Sequence, residues 1–252
     1  MAWLLTIALP AGADVEDLQE RLWELGTTGI AEVEVDATPA IIAGFEQRAD
    51  AEVAAAAIGP IAVVSPVDPS AWPTPEPQEL IVGGHVLSIE VGQAFGHGHH
   101  PTTRLALDAV TRLTSASTAV LDVGTGTGIL ALAAAALGAQ PVVGVDIDLE
   151  AVTIARRNAV SNGLDVAITD DALDELGSFD LVVVNMLASE LEPIAPAVFG
   201  RLAPDATLVI TGFLDEQRPW VESMFPSLSE HDYLQGDDRW GRLILSSRTS
   251  DG

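Results

Sequence analysis

Three histidines fall within four residues in the stretch AFGHGHHPTTRLAL, which runs from Ala94 to Leu107. They are His97, His99 and His100. Imidazoles spaced this closely can ligate a metal or serve as a general base. The setting points elsewhere. The chain has no cysteine, and no carboxylate stands next to the cluster in sequence. Glycines between the histidines suit a loop lying close against a ligand. On that reading His100 steadies the loop by hydrogen bonding and the metal-ligand set is none.

A second run carries more chemistry: VLDVGTGTGILALAAAALGAQPVVGVDID, Val120 to Asp148. A short apolar stretch ends at Asp122, glycines recur at Gly124, Gly126 and Gly128, and an alanine-rich helix follows. Glycine permits the positive φ and the close backbone approach that such a turn needs. A second apolar stretch ends at Asp146, 22 residues after Gly124. An acid at the end of the second strand of such a unit accepts hydrogen bonds from a ribose diol. Together these features point to an adenosine-containing ligand; the alternative is a tight strand–helix turn that binds nothing. Nicotinamide sites space their glycines GxGxxG, whereas here every second residue is glycine, as in S-adenosylmethionine sites. Asp122 precedes the turn, where in methyltransferases an acid commonly faces the methionine amino group. Farther on, VVVNMLAS places Asn185 at the carboxyl end of another strand, in the crevice where α/β sheets bind ligands. Its amide can accept from an amine substrate and also reach the methionine portion. Asp170 and Asp171 follow a third strand, as adenine contacts or as capping acids.

These residues need a scaffold, and the pattern around them supplies one. From about residue 103 apolar strands alternate with amphipathic helices, which predicts a parallel, doubly wound sheet. RWGRLILSS alternates and adds an antiparallel strand at the end. ELIVGGHVLSIEV reads as one strand leading into the histidine stretch. Residues 66–79 hold five prolines and read as a semi-rigid linker in which Trp72 packs against a domain. Residues 1–65 show the order β-α-β-β-α-β, the signature of a ferredoxin-like sandwich. Its first helix has Asp14 as N-cap, apolar spacing at Val15, Leu18, Leu22 and Leu25, and Gly26 as C-cap. The expected domains are therefore 1–65, a linker at 66–79, and 80–248.

The chain carries 37 acids against 11 basic residues, every one of them arginine. So negative a surface repels phosphate backbones and argues against direct nucleic-acid binding. It suits a basic protein partner, although a habitat-wide acidic bias gives the same composition. No apolar run is of transmembrane length, and the N-terminus lacks the basic region of a signal peptide, so the expectation is a cytoplasmic protein without membrane contact, with a monomer favoured.

Taken together, AFGHGHHPTTRLAL, LDVGTGTGILALAAAALGA, GVDID and VVNMLASEL resemble the methyltransferases that modify the large-subunit ribosomal stalk protein L11. The resemblance covers most of the second domain, and the leading domain and linker match the family's layout. It implies a Rossmann-like class I methyltransferase domain with a mostly parallel seven-stranded sheet, behind a small domain that recognises the protein substrate. It implies S-adenosylmethionine as cofactor, bound by Thr103, Gly124, Gly126, Asp146 and Asn185, with Asn185 as the catalytic residue. Thr103 would also cap its helix, and Phe95, Gly96 and Gly98 would fold over the methionine end. The implied activity is methyl transfer to lysine side chains and an N-terminal amine of L11. The alternatives are a class I methyltransferase with another protein or small-molecule substrate, and a non-catalytic S-adenosylmethionine-binding protein. The sequence departs from the family at His97, where a threonine is usual, and at Asp205-Ala206, where Gly-Gly is common.

Overall fold

The computed structural model describes residues 2–10, 12–13, 15–27, 29–35, 38–45, 47–67, 77–90, 100–236 and 239–246. Asp14, Trp72, Phe95, Gly96, His97, Gly98 and His99 lie outside these residues. The described chain falls into two compact units, one up to Val67 and one from Pro77 onward.

The first unit is a four-stranded antiparallel sheet with two helices. Its elements are β1 (Ala2–Ala8), α1 (Val15–Glu24), β2 (Gly29–Val35), β3 (Thr38–Phe45), α2 (Arg48–Ile58) and β4 (Ala62–Val67), with strand order β2-β3-β1-β4. Period-two alternation turns Leu5, Ile7, Ile41, Ala43 and Phe45 to one face, where Leu18 and Leu22 of α1 and Ala51 and Ala54 of α2 pack on them. Gly26, just past α1, has φ +81°, the left-handed backbone expected after a helix.

The second unit opens with a hairpin, β5 (Gln78–Val82) and β6 (His85–Ile89), and not with one strand. Gly83 and Gly84 have φ +56° and +87°, so the Gly-Gly pair makes the tight turn instead of continuing the strand. The body is a seven-stranded sheet ordered β12-β13-β11-β10-β7-β8-β9. These strands are β7 (Val120–Val123), β8 (Val142–Val145), β9 (Ala167–Thr169), β10 (Phe179–Asn185), β11 (Leu202–Leu214), β12 (Ser229–Gln235) and β13 (Trp240–Ser246). The five from β9 to β11 run parallel, and β13 is antiparallel to both its neighbours. The central strands VLDV and LVVV are buried on both faces because helices cover both. The helices are α3 (Pro101–Leu113), α4 (Ile129–Ala136), α5 (Leu149–Asn162), α6 (Ala188–Phe199) and the short α7 (Arg218–Ser223). Cores lie on both sides of the sheet, one gathering α3, α4 and the hairpin, the other α6 and α7. Asp205, within β11, has φ +63°. The aspartate thus holds a left-handed position that glycine adopts without strain. Among the described residues, no helix is long and apolar enough to cross a membrane.

Candidate functional site

The register of the parallel strands assembles the site. Val123 pairs with Val184 of β10 and with Val145 of β8, and Asn185 pairs with Thr211 of β11. The parallel strands run in one direction, so Asn185, Gly124 and Asp146 stand in a row at the carboxyl ends of β10, β7 and β8, with Thr211 beside Asn185 on β11. The chain passes from β7 to β8 and β9 on one side, then crosses to β10 and β11 on the other. Asn185 and Gly124 flank that switch point, where an open α/β sheet leaves a crevice.

The glycine turn is held by backbone bonds at its foot. The amides of Gly124 and Thr125 both donate to the Val145 carbonyl, at 2.9 and 3.0 Å. Gly124, Gly126 and Gly128 all have positive φ, and a Cβ on Gly124 would stand 2.8 Å from the Met186 side chain. Asp146 is fixed on both oxygens: the Gly126 amide donates to one at 2.9 Å and the Asp148 amide to the other at 3.0 Å. Each oxygen keeps a lone pair, which suits a vicinal diol.

Asp122 is shut into the sheet end at 1% exposure. One carboxyl oxygen accepts from the Thr125 hydroxyl at 2.6 Å and the Ala131 amide at 3.2 Å. The other oxygen is buried with no hydrogen-bond partner. Burial pushes its pKa up to about 6; the bonds from Thr125 and Ala131 oppose this and the Asp146 charge adds to it. A buried carboxylate with one idle oxygen is an acceptor for a cationic group.

Asn185 is held from two sides. The Thr211 hydroxyl donates to its side-chain oxygen at 3.0 Å, and its amide nitrogen faces the Thr103 hydroxyl at 3.4 Å. Thr103 and Thr211 are fully buried. The β11 backbone approaches closely here: Gly212 has φ +88°, and a Cβ on it would lie 2.4 Å from the Met186 carbonyl oxygen.

Of the five sequence-predicted site residues, Gly124, Gly126, Asp146 and Asn185 stand at one end of the parallel strands, and Thr103 meets Asn185 from α3. The capping role given to Thr103 falls to another residue. α3 begins at Pro101, so Thr103 stands inside the first turn, and His100 is the N-cap, its Nδ1 accepting from the Thr102 amide at 3.3 Å. The His100 ring also stands edge-on to Trp240, with centroids 5.4 Å apart. Asp170 and Asp171 cap nothing: the short 3-10 turn at Leu173–Glu175 has Ala172 at its N-cap. Asp170 instead faces Arg156 at 4.0 Å. Among the described residues, no group of three His, Cys, Asp or Glu could hold a metal ion. Thr125 and Thr211 were missed by the sequence reading. For Thr211 the available sign was a hydroxyl residue ending an apolar run just before a glycine.

Comparison with known proteins gives the family and the fold. The family model described as ribosomal protein L11 methyltransferase matches residues 60–248. The ribosomal protein L11 methyltransferase of Deinococcus radiodurans is 35% identical over 247 residues, covering 86% of this chain and 88% of that protein. That of Geobacter metallireducens is 44% identical over 156 residues, 62% of this chain and 52% of the relative. The chain spans about half the length of several curated relatives it matches, the Geobacter protein among them. A solved ribosomal protein L11 methylase from Lactobacillus delbrueckii subsp. bulgaricus superposes with a TM-score of 0.59 at 36% identity, covering 64% of this chain and 84% of that one. A 16S rRNA methyltransferase from T. thermophilus, in complex with AdoMet and guanosine, superposes with a TM-score of 0.57 over 97% of this chain and 65% of that one. At 19% identity it speaks to the fold alone. The second unit has the class I methyltransferase fold, and the chain belongs to the ribosomal protein L11 methyltransferase family.

Proposed function

We propose that this protein transfers methyl groups from S-adenosylmethionine to amino groups of ribosomal protein L11, on lysine side chains and the N-terminal amine. Its family relatives carry that name. The observation that carries the reading is the Asn185 amide, fixed by Thr211 at 3.0 Å beside the glycine turn at the switch point of the sheet.

The residues present fit the cofactor. Asp146 offers two oriented oxygens to a ribose, Gly124 and Gly126 leave the turn open to close approach, and the idle oxygen of Asp122 is an acceptor for an ammonium group. When bound, the cofactor supplies an electrophilic methyl group on a sulfonium. Thr103 and Thr211 orient Asn185. One lone pair of the Asn185 oxygen is engaged by Thr211, and the second accepts an N–H of the incoming neutral amine. Catalysis is then chiefly alignment of nucleophile and methyl group. The amine reaches the site already deprotonated, and water takes its proton.

The first unit, with strand order β2-β3-β1-β4, is read as a ferredoxin-like domain that holds the protein substrate; of the linker expected at 66–79, Pro66 and Val67 belong to β4 and Gln78 and Glu79 to β5, which leaves residues 68–77 to join the units. The excess of acids favours a basic partner such as a ribosomal protein and disfavours direct nucleic-acid contact. A monomer in the cytoplasm is the simplest state for that task.

The test is methyl transfer from labelled S-adenosylmethionine to purified L11, read by intact-mass spectrometry. Mass gains in steps of one methyl, abolished by Asn185→Ala, support the reading. Cofactor binding without transfer to L11 points to another substrate or to a non-catalytic sensor.

A further inference from the structure

Helix α5 presents two asparagines one turn apart, and both act as mimics of a neighbouring strand. Asn162 accepts from the Ser88 amide and donates to the Ser88 carbonyl, each at 2.8 Å. Asn158 repeats the pattern on Glu90, accepting from its amide at 2.8 Å and donating to its carbonyl at 2.9 Å. The helix thereby holds β6 through side-chain amides. Asn158 does one thing more: its amide nitrogen also donates to the Thr127 carbonyl at 2.9 Å, inside the glycine turn.

That extra bond is surplus to clamping the hairpin, which Asn162 does without it. Asn158 is wholly buried, whereas Asn162 is partly exposed. Burying an amide is unfavourable unless its hydrogen bonds are made, and here they are: Glu90 engages the oxygen and one N–H, and Thr127 takes the other N–H. What the bond secures is the Thr127–Gly128 peptide, two peptide units on from the Gly126 amide that grips Asp146. Two further features tie α5 to the same turn. A Cβ on Gly128 would meet the Ala155 Cβ at 3.1 Å, so helix and turn are in close contact. α5 itself starts three residues after Asp146, capped by Asp148. One helix thus fixes Asp146 from its N-terminus and the turn facing Asp146 from its middle.

We propose that Asn158 is a positioning residue of the cofactor site: through Thr127 it sets the Gly126–Asp146 contact, so the site is pre-formed for the adenosine portion of its ligand. This rests on the S-adenosylmethionine reading above. Asn162 is the internal control: it makes the same strand contacts one turn away, gives its other N–H to the Asn158 carbonyl within the helix at 2.8 Å, and bonds nothing in the glycine turn.

The experiment is calorimetric titration of the full chain and of Asn158→Ala and Asn162→Ala with S-adenosylmethionine, alongside thermal unfolding of each. The expected result is an affinity loss of roughly tenfold or more for Asn158→Ala, from loss of the Asn158–Thr127 bond that holds the turn. At saturating cofactor its kcat should stay near wild type. Asn162→Ala should lose thermal stability while binding within about twofold of wild type. Equal affinity loss in both variants, or none in Asn158→Ala, overturns the proposal. If Asn158→Ala does not fold, amide exchange on the wild-type chain decides. Cofactor should raise protection at the Glu90 amide together with that of Gly126, and leave the Ser88 amide unchanged. Unchanged Glu90 protection, or a rise shared equally by Ser88, overturns it. A wild-type chain that binds no S-adenosylmethionine overturns the cofactor reading and this proposal with it.

Discussion

Thr211 and Asn185 stand opposite each other on β11 and β10, and the Thr211 hydroxyl donates to the Asn185 side-chain oxygen at 3.0 Å. The bond selects one orientation of the amide, with its nitrogen toward Thr103. Thr211→Val keeps the shape and removes the donor. It should cost about 1–2 kcal/mol of transition-state alignment, or roughly tenfold in kcat, with the fold intact. Steady-state methyl transfer and circular dichroism would check this, and an unaltered kcat would separate Thr211 from the reaction.

Asp122 gives a pH prediction. Its folded-state pKa of about 6 lies above its ordinary value of 3.8, because burial disfavours the charged form. The folded chain therefore binds the proton more tightly than the unfolded chain. This contribution is fully present below about pH 4 and is lost as pH rises through 6, at a cost of about 3 kcal/mol by pH 7. Asp122→Asn should stabilise the ligand-free protein near pH 7 relative to wild type, with the difference vanishing toward pH 4. The same variant should bind S-adenosylmethionine more weakly, and wild-type affinity should fall as pH drops below 6. Denaturant melts and titrations from pH 4 to 8 read both effects.

Two glycines with similar backbones should respond differently to alanine. Gly163, after α5, has φ +64° and open space around its missing Cβ. Gly163→Ala should cost about 1 kcal/mol from backbone strain alone. At Gly212 the new methyl would run into the Met186 backbone, one residue from Asn185. Gly212→Ala should lose several times that stability and nearly all turnover. Equal unfolding midpoints for the two variants would refute the close approach.

Arg242 on β13 is 1% exposed and pairs with Asp108 of α3 and, at 2.9 Å, with Asp232 of β12. Both carboxylates are about half exposed and can hydrate if the arginine is removed. Arg242→Met should therefore cost only about 1–2 kcal/mol. Converting both acids to asparagine strands a buried guanidinium and should cost about 3–5 kcal/mol. Urea denaturation of the three proteins tests that order.

The row of candidate site residues was legible to the extent that it is written locally. Gly124, Gly126 and Asp146 declare themselves by spacing within one strand–turn–helix–strand unit, and Asn185 by ending an apolar run. Thr211 did not, because its meaning comes from a register with β10 that no local pattern encodes. β12 was missed for a different reason. SEHDYLQ is a polar edge strand, largely exposed, with no apolar face to reveal it. The helix start assigned to Thr103 moved because an imidazole took the cap, a role that composition gives to hydroxyls and acids. The hairpin was merged into one strand because Gly83-Gly84 interrupts two apolar runs that each alternate on their own.

The place of β13 in the sheet has a consequence for how the protein is made. It follows every other strand of its unit in the chain, yet it lies between β11 and β12. During synthesis on a ribosome the glycine turn, Asp146 and Asn185 are all extruded while one edge of β11 is still bare. β12, already translated, has no strand to pair with until Trp240–Ser246 arrives. The nascent chain thus carries the parts of a binding site before it carries a finished sheet. Arrest just ahead of Trp240 would leave an apolar strand edge open to mispairing.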